Sequence, residues 1–232
     1  MSDEKQGGGA AAIGSPWFAA LVALFVACLI AANVLAVKLI MVGGLVMTAG
    51  IIVFPISYIV GDVITEVYGY RAVRRVIWYG FGANALVVAA IWAAQALPAA
   101  PFWQDQPAFD AILGQVPRIV AASLIAYLVG EFANAYVLAR MKVAMAGRHL
   151  WLRAIASTFV GQGLDSAVFM TAAFAGIMPW PVLAGAILTQ WLVKCGYEAL
   201  ATPVTCAVCG FLKRREGVDA YDRDIRFTPL SL

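Results

Sequence analysis

Apolar residues gather in six long stretches, at about 17–37, 51–68, 76–97, 118–141, 154–178 and 182–212. A helix needs ~20 predominantly apolar residues to cross a bilayer, so the pattern predicts six membrane-spanning helices. The intervening segments are short and differ in character. Met41 to Gly50 is a Gly-containing connector, and Arg71, Arg74 and Arg75 follow the second stretch. Pro98 to Pro117 is rich in Pro, Trp and Phe, carries Asp105 and Asp110, and lacks Lys and Arg. A basic loop covers Lys142 to Arg153, and Pro179-Trp180-Pro181 makes a tight turn before the last stretch. The first fifteen residues, small, polar and Gly-rich, read as a disordered cytoplasmic leader. The first apolar stretch outlasts the short core of a secretory signal, so it reads as a retained span.

Composition supports lipid as the solvent. Of 232 residues, 63% are hydrophobic and 12% charged, with a mean hydropathy of +0.86. Soluble domains carry about 25% charged residues, and half that share leaves too little polar surface to face water. The expected fold is therefore an all-α integral membrane protein in three parts. These are a leader at 1–15, a single six-helix domain at 16–212 and a charged cytoplasmic tail at 213–232. Charge then sets orientation. With the N-terminus inside, Lys5, Arg71, Arg74, Arg75, Arg140, Lys142, Arg148, Arg153, Lys213, Arg214, Arg215, Arg223 and Arg226 all fall on the cytoplasmic side. Of the 16 basic residues, that leaves Lys38, Arg118 and Lys194. The bias follows the positive-inside rule and predicts an inner-membrane protein with both termini cytoplasmic.

Polar residues inside spans are costly and are functional candidates by default. Tyr127, Glu131 and Asn134 share one helical face of the fourth span. Thr158, Gln162, Asp165 and Ser166 share a face of the fifth, and Gln190, Lys194, Tyr197 and Glu198 a face of the sixth. Three stripes at similar depth predict the lining of one shared site for a small polar solute. Carboxylates would accept paired N–H groups of a planar heterocycle, amides would read mixed edges, and aromatic rings would stack. Lys194 and Glu198 also have the spacing of a plain i,i+4 ion pair.

Asp62 and Glu66, one turn apart and close to Arg71, read as an interface charge cluster or as a gate beneath the site. Two acids at this spacing could also belong to an intramembrane enzyme, though no second acid motif accompanies them. Cys28, Cys195, Cys206 and Cys209 lie in apolar segments, and the Cys206/Cys209 pair lacks a partner pair or His for metal binding. No cofactor, catalytic residue, metal or nucleic-acid partner is expected. Ala19, Ala23, Ala27 and Ala31 form a ladder of small residues. It serves either as an internal packing seam or as a docking stripe for another membrane protein or a second copy. No phosphate-binding loop occurs, so ATP hydrolysis would need a separate module.

Asp62, Thr65, Glu66, Tyr68 and Gly69, preceded by Phe54-Pro55, form a motif that resembles the queuosine-precursor transporter family (the VUT group). Further matches are Gly130-Glu131-Phe132 with Asn134 and Met141-Lys142, Ser157-Thr158 through Gly161-Gln162 to Asp165-Ser166, and Lys194 through Tyr197-Glu198 to Thr202-Pro203. The resemblance covers about residues 17–212. It implies a six-helix architecture similar to the substrate-binding subunits of vitamin uptake systems. It also implies a cargo, 7-cyano-7-deazaguanine or 7-aminomethyl-7-deazaguanine, salvaged for queuosine in tRNA. Such a base would meet Glu131, Asp165 or Glu198 through its N1–H and 2-amino group. Gln162, Asn134 and Lys194 would serve its O6 and substituent. Alternatives are a transporter of another nucleobase or vitamin, the substrate-binding subunit of an energised complex, a membrane-embedded enzyme, or a scaffold.

Overall fold

The computed structural model describes residues 15–35, 38–42, 45–114, 117–176 and 179–221. Most of the expected leader and the end of the tail lie outside these residues. The described residues form seven helices and one hairpin. In order they are α1 (Pro16–Leu35), β1 (Leu39–Val42), β2 (Leu45–Thr48), a 3-10 turn (Ala49–Ile52), α2 (Phe54–Tyr68) and α3 (Tyr70–Ala96). The remainder are α4 (Gln106–Leu113), α5 (Pro117–Ala144), α6 (Leu150–Phe174) and α7 (Trp180–Glu216).

Local chemistry explains where several of these begin and end. Ser15 Oγ accepts the Phe18 amide at 3.0 Å, and Pro16 opens α1 with a helical φ already set. Pro55 does the same for α2. Between α2 and α3 lies one residue, Gly69, at φ 87 and ψ 170, a conformation that suits glycine alone. The reversal is so tight that Arg71, Arg74 and Arg75 fall within α3 rather than in a loop before it. Gly217, at φ 66, closes α7 by donating its N–H to the Lys213 carbonyl at 3.0 Å.

Two segments correct the sequence reading. The expected connector at 41–50 is part of an antiparallel hairpin, with Leu39 opposite Thr48 and Val42 opposite Leu45. The Ala49 amide closes it onto the Lys38 carbonyl at 2.8 Å. An all-α description therefore omits one small sheet. Its signal was present, since two aliphatic quartets flank a two-residue glycine pair, a common hairpin pattern. The second correction is α4, a short helix inside the Pro98–Pro117 segment, where Asp110 accepts hydrogen bonds from Gln95 and Gln106.

Among the described residues, four helices are long and apolar enough to cross a membrane: Pro16–Leu35, Tyr70–Ala96, Ala121–Ala144 and Leu183–Glu216. The two larger helices outside that set are the most polar in the bundle's centre. α2 has 15 residues, ~22 Å of helix, and α6 carries Arg153, Gln162 and Asp165. Large apolar side chains project outward, among them Leu86, Trp92, Ile125, Leu188 and Leu200, while charged residues are buried. That inversion is what a lipid solvent selects.

The core is built from Phe25, Leu29, Ile64, Val67, Val73, Ile77 and Ala135, which join α1, α2, α3 and α5. α1 faces it with Phe18, Phe25, Cys28, Leu29 and Ala32. Ala19, Ala23 and Ala27 are exposed on its other side, so the alanine ladder is not a seam within this chain. The closest helix contact is between α5 and α6. A Cβ on Gly130 would stand 2.9 Å from the Gly161 carbonyl, and one on Gly161 would stand 2.8 Å from that of Gly130. Two bare backbones meeting there bring the polar faces of both helices together.

Candidate functional site

The polar stripes of α5, α6 and α7 converge, and α2 joins them. Asp62 of α2 accepts the Asn134 side-chain amide of α5 at 2.6 Å, with both residues fully buried. Glu131 lies against α2 where Gly61 has no side chain, so any Cβ at 61 would collide with Glu131 Oε1. Tyr58 Oη and the Asp165 Cβ both come within 2.9 Å of the place a Cβ on Gly130 would occupy. On α7, Lys194 reaches α6 and bonds Asp165 Oδ2 at 2.5 Å. Its ammonium also sits over the Phe54 ring, 4.5 Å from the centroid.

What distinguishes this cluster is how much of its polarity is unspent. Buried atoms without a hydrogen-bond partner include both carboxylate oxygens of Glu131, Asp62 Oδ2, Glu198 Oε1, Asn134 Oδ1 and Gln162 Oε1. The hydroxyls of Tyr58, Tyr127, Thr158 and Ser166 are in the same condition. Buried polar groups in proteins are nearly always paired, because an unmade bond costs about 1–3 kcal/mol. Ten such atoms gathered on four helices form a polar surface suited to a bound solute.

Of the residues singled out from sequence, Tyr127, Glu131, Asn134, Gln162, Asp165, Ser166, Lys194 and Glu198 are all buried. Tyr197, though on the same predicted stripe, is 41% exposed. Lys194 pairs with Asp165 across helices rather than with Glu198 along its own. Two residues of the site were not recognised as such from sequence. Tyr58 gave no signal beyond its place in an apolar run, and Asp62 was grouped with Glu66 and Arg71.

That grouping does not form in the structure. Arg71 is exposed, and Asp62 turns into the polar cluster. Glu66, one turn on, enters a separate ion knot at the end of α2. Its carboxylate takes a bidentate grip from Arg153 at 2.5 and 3.1 Å, and Lys213 bonds it at 2.5 Å. Lys142 stands 3.6 Å away and donates to the Glu66 carbonyl at 2.5 Å. Arg153 also donates to the carbonyls of Gly147 and Arg148, both at 3.1 Å. It thereby braces the α5–α6 loop, where Ala146 and His149 hold left-handed backbone angles. The chain beyond α7 folds back over the knot. Asp219 bonds Lys142 at 2.6 Å and pairs with Lys213 at 2.9 Å, and the Ala220 amide donates to the Val67 carbonyl at 3.1 Å. Partial burial raises the Asp219 pKa, but those two ammoniums outweigh it and hold the carboxyl below its usual range.

All four cysteines are free, and among the described residues no three His, Cys, Asp or Glu side chains converge as metal ligands.

Comparison with known proteins bears on the same residues. A family model described as "Putative vitamin uptake transporter" matches residues 48–208, a span that contains every residue of the polar cluster. A curated "Probable queuosine precursor transporter" from Bacillus subtilis (strain 168) is 28% identical over 179 residues, covering 77% of this chain and 78% of that protein. No solved structure matches. An apolar exterior, a polar centre and a family match across that centre agree on a multi-pass membrane protein, and the chain belongs to the vitamin uptake transporter family.

Proposed function

We propose that this chain imports a 7-deazaguanine precursor of queuosine through a site lined by α2, α5, α6 and α7. In this reading it has six membrane-crossing helices, with α2 and α6 completing the set inside the bundle. It sits in the bacterial inner membrane with both termini cytoplasmic, as the basic residues favour. The name of the Bacillus subtilis relative supports the cargo.

One observation carries the reading: Glu131 is fully buried with neither carboxylate oxygen hydrogen-bonded, in the middle of other unspent polar atoms. A 7-deazaguanine presents N1–H and the 2-amino group as two parallel donors, the pattern a free carboxylate accepts. Its O6 and its substituent need donors, which the hydroxyls of Ser166, Thr158, Tyr58 and Tyr127 and the Lys194 ammonium can supply.

The test is uptake of labelled 7-cyano-7-deazaguanine by cells unable to make it, with the intact chain and with Glu131→Gln. Losing a charge-assisted bond of about 1.5–3 kcal/mol weakens apparent affinity about 10- to 100-fold. Exposed Asp110→Asn should transport normally. No accumulation with the intact, expressed chain would remove the cargo. Equal uptake by Glu131→Gln would move the site. A docking role for the exposed face of α1 is also supported by Ala19, Ala23 and Ala27 lying outside the core. In that case Ala23→Leu should reduce uptake and release a co-purifying partner.

A further inference from the structure

The buried acids of this protein fall into two sets with opposite charge balance. Around Glu66 and Asp219 stand three cations, Arg153, Lys142 and Lys213. Around the polar cluster the acids are Asp62, Glu131, Asp165 and Glu198, all at least nine-tenths buried, and one cation, Lys194, bonds Asp165. Under the reading above, Glu131 is met by the donor edge of the cargo. Asp62 and Glu198 are left over.

These two face each other between α2 and α7. Glu198 is the charged group that acts most strongly on Asp62. Both are 1% exposed, and Asp62 Oδ2 and Glu198 Oε1 have no hydrogen-bond partner. Every other group near them is neutral, acidic or already committed. From α5 come the Asn134 amide, which donates to Asp62 Oδ1, and Glu131. From α6 comes Asp165, held by Lys194, and Glu66 on α2 is held in its own ion knot. Cys195, on α7 beside Glu198, is a thiol. Two facing carboxylates in a dry site cannot both remain charged, because desolvation and like-charge repulsion act together. A metal ion would need a third ligand, and no such convergence occurs among the described residues.

We infer that Asp62 and Glu198 share one exchangeable proton, and that this proton crosses the membrane with the cargo. The proton is taken from water on the outer side, forms an O–H bond on one carboxyl and donates to the other. It returns to water on the cytoplasmic side as the cargo leaves. Nothing is oxidised or reduced, and one proton moves inward per cargo molecule. The inference rests on the site reading for its direction of use, but the shared proton itself can be observed without any cargo.

Two measurements test it. The first is infrared difference spectroscopy on the purified full-length chain, which detects the carbonyl stretch of a protonated carboxyl and its shift in heavy water. The band should be present at neutral pH without cargo, be lost in Asp62→Asn and in Glu198→Gln, and persist in Asp110→Asn. The second is uptake of labelled 7-cyano-7-deazaguanine by proteoliposomes under an inward proton gradient, an inward sodium gradient or none. The proton gradient alone should drive accumulation. Glu198→Gln, whose amide mimics the protonated acid, should still exchange cargo across the membrane but lose gradient-driven accumulation by tenfold or more. A variant that merely misfolds would lose exchange as well.

Absence of the protonated-carboxyl band, or its survival in both variants, would overturn the proposal. So would accumulation driven equally by sodium or unaffected by the proton gradient. If the band behaves as expected but this cargo moves under no gradient, the shared proton stands and the cargo assignment falls.

Discussion

Replacing Gly130 by alanine tests how the polar cluster is assembled. Alanine is normally the better helix residue by about 1 kcal/mol, so substitution at an open glycine should stabilise α5 slightly. At 130 the new Cβ would stand 2.7 Å from Asp165 Cβ, 2.9 Å from the Gly161 carbonyl oxygen and 2.9 Å from Tyr58 Oη. Two of these neighbours are main chain or the first side-chain atom, so neither can swing away. To regain an ordinary 3.4 Å contact, α5 and α6 must separate by about 0.7 Å. Overpacking of this kind costs about 1–3 kcal/mol. The net expectation is a destabilisation of about 0–2 kcal/mol, opposite in sign to that at Gly185 on α7, where nothing lies within 4 Å. Function should suffer more than stability, because the displacement is comparable with the tolerance of a hydrogen-bonded site. The assay is equilibrium unfolding in mixed micelles alongside cargo uptake, for Gly130→Ala and Gly185→Ala. Equal stabilisation of both variants with unchanged uptake would show that the bare-backbone contact does not set the helix spacing.

Two other predictions concern the ion knot. Glu66→Gln strands the buried Arg153 guanidinium and both lysines with Asp219 alone, and breaking a buried pair costs about 3–5 kcal/mol. The variant should unfold at markedly lower denaturant, and Arg153→Lys should fall short of wild type because an ammonium cannot reproduce the two-pronged grip. Equal stability of Glu66→Gln and wild type would refute this. Asp219 titrates below its usual value of 3.8. Its contribution is therefore complete above about pH 4 and is lost as pH falls through the lowered value. Hydrogen exchange at the Ala220 amide should rise on such acidification, and at neutral pH in Asp219→Asn. Unchanged exchange in that variant would mean the returning segment is held by other contacts.

Much of this architecture follows from the order of residues alone. Runs of apolar residues long enough to span lipid specify α1, α3, α5 and α7, because bilayer thickness is a length that sequence can be measured against. Helical spacing likewise puts Tyr127, Glu131 and Asn134 on one face and Gln162, Asp165 and Ser166 on another. Periodicity within one helix needs no knowledge of its neighbours. The hairpin at 39–48 was signalled by the glycine pair but was read as a connector, since two four-residue strands are too short to stand out from an apolar background.

Choice of partner is another matter. Lys194 could pair with Glu198 along its own helix or with Asp165 across to α6, and sequence treats the two acids alike. Glu66 has three arginines within nine residues, yet it takes Arg153 and Lys213, far along the chain, because the one-residue turn at Gly69 leads the nearby arginines away into α3. The same turn leaves Asp62 facing α5 and Glu198. The electrostatic attraction of buried charges depends on the distance and burial of each group, and both are properties of how the helices cross. Only the tertiary structure, through contacts such as Gly130 against Gly161, decided which acids would be neutralised and which would stay unspent.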